Sequence, residues 1–392
     1  MRKKLCVITG SRAEYGLLKN LIKGIKKDKK FHLTLIATSM HLSKKHGLTY
    51  KEIIKDGFKI NHKINLNLKK DSRFEISKSL GGSIENFSKI FNSQKPDLII
   101  ILGDRYEILP PAIVALMYNI PIAHIGGGEL TEGAFDNSIR HCITKLSHFH
   151  FVVHKSSKRR LIQMGESPKN IFVTGGLGVD AIKNTKFLSK SELEKKLKFK
   201  IQKNNIMVTY HPVTLEQDTS KADFREILLA VKKLKNTSII FTMPNSDPGN
   251  NVIFSMIKNF VKKNKNSKYF VNLGHLKYFS CLKYSKCVLG NSSSAIHEVP
   301  AFKIPSINIG NRQKGRIKFI YVINCKPKNK SILQALKKAD LLYKNKRLTK
   351  IQSPYGKVGA AKKILKILKN LSFKNVIQKN FYDIKGKNDF EK

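Results

Sequence analysis

Tryptophan is absent from this 392-residue chain, and acidic side chains are scarce, 27 Asp and Glu against 75 Lys and Arg, which leaves a formal net charge of +48. Such an imbalance is the usual electrostatic footprint of nucleic-acid or acidic-membrane binding. Its distribution argues otherwise. Lys supplies 64 of the 75 cations, spread over the polar faces of segments such as SELEKKLKFK and QALKKADLLYKNKRL, with no aromatic-interleaved stripe and no pattern of a common nucleic-acid module. No nucleic-acid partner is expected. Cysteines are few and odd in number (Cys6, Cys142, Cys281, Cys287, Cys325), with no C-x-x-C pair, which argues against a disulfide framework and against a zinc cluster. No apolar run is long enough to span a membrane, and the opening MRKKLCVITG runs into a strand-like segment and not a signal peptide, so a cytoplasmic protein with no membrane partner is expected. The dinucleotide fingerprint G-x-G-x-x-G is missing too, which lowers the prospect of a dinucleotide cofactor.

What is present is an alternation of short apolar runs with amphipathic segments. KLCVITG is followed by YGLLKNLIKGIKK, with Leu17, Leu18, Leu21, Ile22 and Ile25 at helical spacing, and then by FHLTLIATS. The pattern continues through PDLIIILGD, PPAIVALMYN, IPIAHIGGG, NSIRHCITKLSH and FHFVVHK, and restarts with NNIMVTYHP, TSIIFTMPNSD, KCVLGNSSS and IPSINIG. This is βαβ order and predicts α/β architecture with parallel sheets. The length exceeds what one core usually serves. Two Rossmann-like domains are expected, over residues 1–185 and 186–352, with an amphipathic helix from Ala361 to Leu371 and a polar tail in 353–392. A cleft between the carboxyl ends of their strands is the place for a ligand.

The chemistry-bearing residues sit in the loops after these strands. TGSRAEYG offers backbone amides and Arg12 to an anion at a helix N-terminus. ILGDRYE places Asp104 and Arg105 just past a buried strand. AHIGGGELTEGAFDNSIRH crowds Glu129, Glu132, Asp136, Arg140 and His141 behind three glycines, an arrangement suited to separating the pKa values of an acid and a base. Asp136 also suits the N-cap of the following helix, with Arg140 and His141 on that helix's surface. In the second half, His211 ends a strand before Pro212. LGNSSSAIHEVP has Asn291, Ser292, Ser293 and Ser294 opening a helix toward a phosphate, with Glu298 placed to accept hydroxyl bonds from a ribose. INIGNRQKGR adds Arg312, Lys314 and Arg316 as phosphate or carboxylate partners.

Taken in order, SRAEYG, GDRYE, GGE-x-T-x-G-x-x-D-x-S-I-R-H, a strand-terminal HP, GNSSS and G-x-RQ-x-GR resemble the hydrolysing UDP-N-acetylglucosamine 2-epimerases of sialic and other nonulosonic acid biosynthesis, over roughly residues 4 to 320. The resemblance implies a GT-B-like pair of domains, a nucleotide-sugar substrate, a homo-oligomer, and chemistry without metal or cofactor: UDP-N-acetylglucosamine plus water gives N-acetylmannosamine plus UDP. It puts the catalytic carboxylates on Asp104, Glu129 and Asp136. Nucleotide binding falls on Arg12, His211, Ser292, Ser293, Glu298 and Arg312, and the loop readings add Arg105 and Asn291. One departure is Gly126, where family members commonly carry His or Glu before GGE; it leaves open UDP-2,4-diacetamido or GDP-linked sugars. Other readings are a GT-B glycosyltransferase, a non-hydrolysing epimerase and a non-catalytic polyanion binder.

Overall fold

The computed structural model describes residues 2–384 except 67–71, 216–218, 246, 318, 346–352 and 357, so the expected boundary at residue 352 lies outside the described residues. The first sheet contains β1 (Lys3–Thr9), β2 (Phe31–Thr38), β3 (His62–Ile64), β4 (Leu98–Leu102), β5 (Ile122–Ile125), β6 (Phe149–Val152) and β7 (Ile171–Val173). The second contains β8 (Asn204–Thr209), β9 (Thr237–Thr242), β10 (Ser267–Phe270), β11 (Cys287–Gly290), β12 (Ser306–Ile309) and β13 (Val322–Cys325). All pairings are parallel, in the orders 3-2-1-4-5-6-7 and 10-9-8-11-12-13.

The helices are α1 (Arg12–Lys27), α2 (Tyr50–Lys55), α3 (Arg73–Gln94), α4 (Leu109–Met117), α5 (Asp136–Leu146), α6 (Lys155–Gln163), α7 (Leu177–Lys183), α8 (Lys190–Leu197), α9 (Thr219–Lys232), α10 (Asn250–Lys263), α11 (Gly274–Lys283), α12 (Ser294–His297), α13 (Asn329–Lys344) and α14 (Ala360–Asn370). They cover both faces of the sheets, which is why β4 is an unbroken apolar run, LIIIL, and not an alternating one. On one face of the first sheet, Val7 and Ile100 meet Leu18, Leu21, Ile22 and Ile25 of α1. On the other, Ile8, Ile99 and Ile101 meet Phe87, Phe91 and Ile143. A capping box fixes the start of α1: Ser11 accepts from the Glu14 N–H, and the Glu14 carboxylate accepts from the Ser11 N–H. That exchange holds the loop after β1 in place.

Each sheet reverses its strand order at its first strand, β1 between β2 and β4, and β8 between β9 and β11. The loops leaving these neighbours diverge to opposite faces and open a crevice. Two connections draw the halves together. The Glu132 N–H donates to the Lys314 carbonyl at 3.0 Å, and Gly133 lies so close to the Arg312 loop that a Cβ there would come within 2.7 Å of the Arg312 Cα. From the second sheet the chain then returns to the first: α14 buries Ala360, Ala361, Ile364 and Leu368 in the core of β1 and α1. Asp180 of α7 caps it by accepting from the Gly359 and Ala361 N–H groups, the latter at 2.7 Å.

Candidate functional site

Loops from the carboxyl ends of β1, β4, β5, β8, β11 and β12 surround two adjoining cavities of about 240 Å³ and 140 Å³. Leu17, Leu102, Gly103, Asp104, Ser293, Glu298 and Arg316 line both and form their common wall. Of the residues expected from sequence, Arg12, Asp104, Arg105, Asp136, His211, Ser292, Ser293, Glu298 and Arg312 line the larger cavity. Glu129 lines the smaller. Asn291 lines neither.

The carboxylates differ in their surroundings. Asp104 pairs with Arg140, which is almost fully buried and also donates to the Glu129 carbonyl at 2.7 Å and to the Thr131 hydroxyl at 2.8 Å. Arg140 therefore ties the loop after β4 to the loop after β5, and is not on a helix surface. Glu129 pairs with Arg316 Nη1 at 2.6 Å and lies 3.4 Å from His297 Nε2. Burial alone would push the Glu129 carboxyl up, but Arg316 and its neighbouring cations outweigh burial and hold it below the ordinary carboxylate range. Asp136 moves the other way. Burial, with Asp247 nearby, raises its pKa despite Arg105 and Arg312, the latter 3.5 Å away. The N-cap reading of Asp136 is corrected: α5 has Phe135 at that place, and Asp136 is its first helical residue, facing the cleft. Glu132 and His141 stand outside both cavities, and Glu132 pairs with Lys314 at 3.3 Å on an exposed edge.

Across the crevice, the His211 ring is buried and is held to about 3 by burial and by Arg312, so it is neutral. Its Nδ1 accepts from the Asn245 N–H at 3.3 Å, which leaves the proton on Nε2 as a donor. Asn291, expected at the ligand, is a brace instead. Its side chain exchanges two hydrogen bonds with the His211 backbone, at 2.7 and 2.8 Å, and its carbonyl accepts from Arg312 at 3.2 Å and from Gln313 at 2.9 Å. The helix expected to open on the serines is a single turn, Ser294–His297, with Ser294 bound to the Tyr278 hydroxyl at 2.6 Å. A single turn adds little dipole, so the positive charge around this cavity comes chiefly from Arg12, Arg105, Arg312 and Arg316. Arg105 is itself anchored, to Asp247 at 2.6 Å and Glu107 at 3.2 Å. Burial, with Glu129 close by, raises the Glu298 pKa. Among the described residues no His, Cys, Asp and Glu cluster is placed to hold a metal ion, and no helix is long and apolar enough to cross a membrane.

Sequence reasoning passed over His297, Tyr355, Gln313 and Asp247, all of which line or brace these cavities. None lies next to a motif glycine, and Tyr355 is outside every motif. Of these, His297, one residue before Glu298, and Gln313, inside the G-x-RQ-x-GR motif, carried a local signal.

Comparison with known proteins follows the same lines. The profile of the family described as UDP-N-acetylglucosamine 2-epimerase matches residues 23–369. A Campylobacter jejuni protein named GDP/UDP-N,N'-diacetylbacillosamine 2-epimerase (hydrolyzing) is 43% identical over 98% of this chain and 100% of its own length. A Legionella pneumophila protein named UDP-N,N'-diacetylbacillosamine 2-epimerase (hydrolyzing) is 34% identical over 95% and 97%. In structure, the chain resembles the Neisseria meningitidis UDP-GlcNAc 2-epimerase solved with UDP-GlcNAc, with a TM-score of 0.78 at 20% identity, covering 94% of this chain and 100% of that one.

Proposed function

We propose, from the premise that this chain belongs to the hydrolysing UDP-N-acetylglucosamine 2-epimerase family, that it releases a free 2-epimerised acetamido sugar and UDP from a UDP-linked 2-acetamido sugar and water. The observation that carries this reading is the placing of the three carboxylates: Asp104 on the wall common to both cavities, Glu129 in the smaller and Asp136 in the larger. The nucleotide lies in the larger cavity. Arg12 and Arg312 neutralise its diphosphate, the neutral His211 donates its Nε2–H, Ser292 and Ser293 supply hydroxyl and amide donors, and Glu298 accepts from the ribose.

The sugar then sits at the common wall with C2 toward Glu129. The carboxylate there, kept ionised by Arg316, removes the C2 proton. The C2–H electron pair forms the C1–C2 double bond as the C1–O bond to the diphosphate breaks. Asp136, whose raised pKa favours the protonated form, assists the departing UDP. Water next adds its oxygen to C1, and a proton returns to C2 from the opposite face, giving the epimer. Asp104, held by Arg140, orients the sugar hydroxyls.

The sugar expected from the motifs is the monoacetamido one. The names of the relatives at 43% and 34% identity favour the 2,4-diacetamido counterpart as a second reading. Incubation with each UDP-sugar in D2O is the test. Free sugar inverted at C2 and carrying deuterium there, released in step with UDP, supports the reading. A C2 proton left untouched, or an epimer still joined to UDP, overturns it.

A further inference from the structure

The smaller cavity, which Glu129 lines, adjoins the larger one but differs from it in construction. Five glycines line it: Gly103, Gly126, Gly175, Gly176 and Gly178. At Gly126 the backbone has φ of +88°, and a Cβ there would stand 4.0 Å from its nearest neighbour, the Gly103 nitrogen; a Cβ at Gly103 would meet nothing within 4 Å. The open space in front of these two residues belongs to the cavity. Six aliphatic side chains, Leu17, Leu102, Ile125, Val153, Leu177 and Val179, line it beside the charged Asp104, Glu129, Arg140, Glu298 and Arg316. The volume, about 140 Å³, exceeds several times the roughly 30 Å³ share of one water in the liquid.

Tyr355 closes one side. It arrives on the segment that carries the chain back from the second sheet to α14, and its ring stacks on His297 with centroids 4.3 Å apart. Its carbonyl accepts from the Gly176 N–H at 2.9 Å, and a side chain at Gly176 would press on that carbonyl from 3.3 Å. The hydroxyl is buried and has no hydrogen-bond partner among the described residues. A buried donor left unpaired is disfavoured unless a bound group completes it.

We propose that this cavity is the subsite for an acylated amine on the carbon opposite the leaving group, with Gly126 and Tyr355 as the specificity-determining residues. This rests on the epimerase reading above and deepens it. An acetamido group matches the site in both halves: its carbonyl accepts the Tyr355 O–H, and its methyl fills the space that Gly126 leaves among the aliphatic walls. A hydroxyl at the same carbon reaches neither. The left-handed φ at position 126 keeps the space empty, because few side chains adopt it without strain.

The test compares kcat/KM for UDP-2,4-diacetamido-2,4,6-trideoxyglucose and for UDP-GlcNAc in the wild type, in Tyr355→Phe, and in Gly126→Asn, asparagine being tolerant of positive φ. The wild type is expected to favour the diacetamido sugar. Tyr355→Phe should lower that preference about tenfold, the worth of one buried hydrogen bond, and Gly126→Asn should lower it at least as far, mainly through KM. A preference that moves less than twofold in Tyr355→Phe overturns the subsite even if Gly126→Asn fails to fold. Failure of the wild type to release UDP from either sugar overturns the epimerase reading instead, and the subsite with it.

Discussion

Glu129, on the loop after β5, and Asp136, at the start of α5, belong to one family motif, yet their pKa values move in opposite directions, because burial prevails at Asp136 and is outweighed at Glu129. Arg316 holds Glu129 down. Its removal takes away the largest influence opposing burial, so in Arg316→Gln the acid limb of kcat/KM should move to higher pH; an unmoved limb would show that Glu129 is not the base. Glu129→Gln should cost on the order of 10²- to 10⁴-fold in kcat, measured as UDP release, with near wild-type turnover sinking the assignment. At this scale the sequence was legible where chemistry needs a charged group beside a glycine turn. Asp104 and Glu129 stand out that way, Asp136 by its carboxylate in the same stretch, and His211 by its place at a strand end before Pro212. It was not legible where a residue works through what covers it. Arg140 reads as a surface helix cation and is buried against Asp104, whereas Asn291 reads as a ligand contact and is spent on the His211 backbone.

Among the elements, the strands were the easiest to foresee, because a sheet covered on both faces demands unbroken apolar runs such as LIIIL. The order of strands was not foreseeable, since nothing in such a run names its neighbour. α14 shows the same limit. Its amphipathic pattern foretold a helix at 361–371, and it forms at Ala360–Asn370, but the pattern says only that one face is buried, not that the face returns to α1. That return is tied by Ile364 and by Asp180. Ile364→Ala should destabilise the protein by about 2–5 kcal/mol and Asp180→Ala by about 1–2 kcal/mol for the lost cap, read as shifts in denaturation midpoint. Because Tyr355 lies just ahead of this helix, Asp180→Ala should also erode discrimination between the two sugars.

For the whole molecule, burial dominates its histidines. It is the largest influence on His41, His46, His124, His148, His275 and His297, each held to about 4, and on His211, held to about 3. An unfolded histidine titrates near 6.5. Between those values the unfolded chain binds more protons than the folded one, so stability is fully present above about pH 6.5 and falls as pH drops toward 4. Urea denaturation across that range should show several protons taken up on unfolding. A flat profile would mean that these rings are solvated.

The contact of Glu132 and Gly133 with the 311–316 loop has a consequence for timing. The same approach that joins the two halves also brings Arg316 to Glu129, so the charge on the proposed base depends on that contact. If a sugar nucleotide enters, or the products leave, by parting it, an opening becomes one step of the cycle. Turnover should therefore slow in proportion to added viscogen if this opening limits the rate. Were Arg316 withdrawn with that loop, Glu129 would lose the foremost of the groups that hold its carboxyl down against burial.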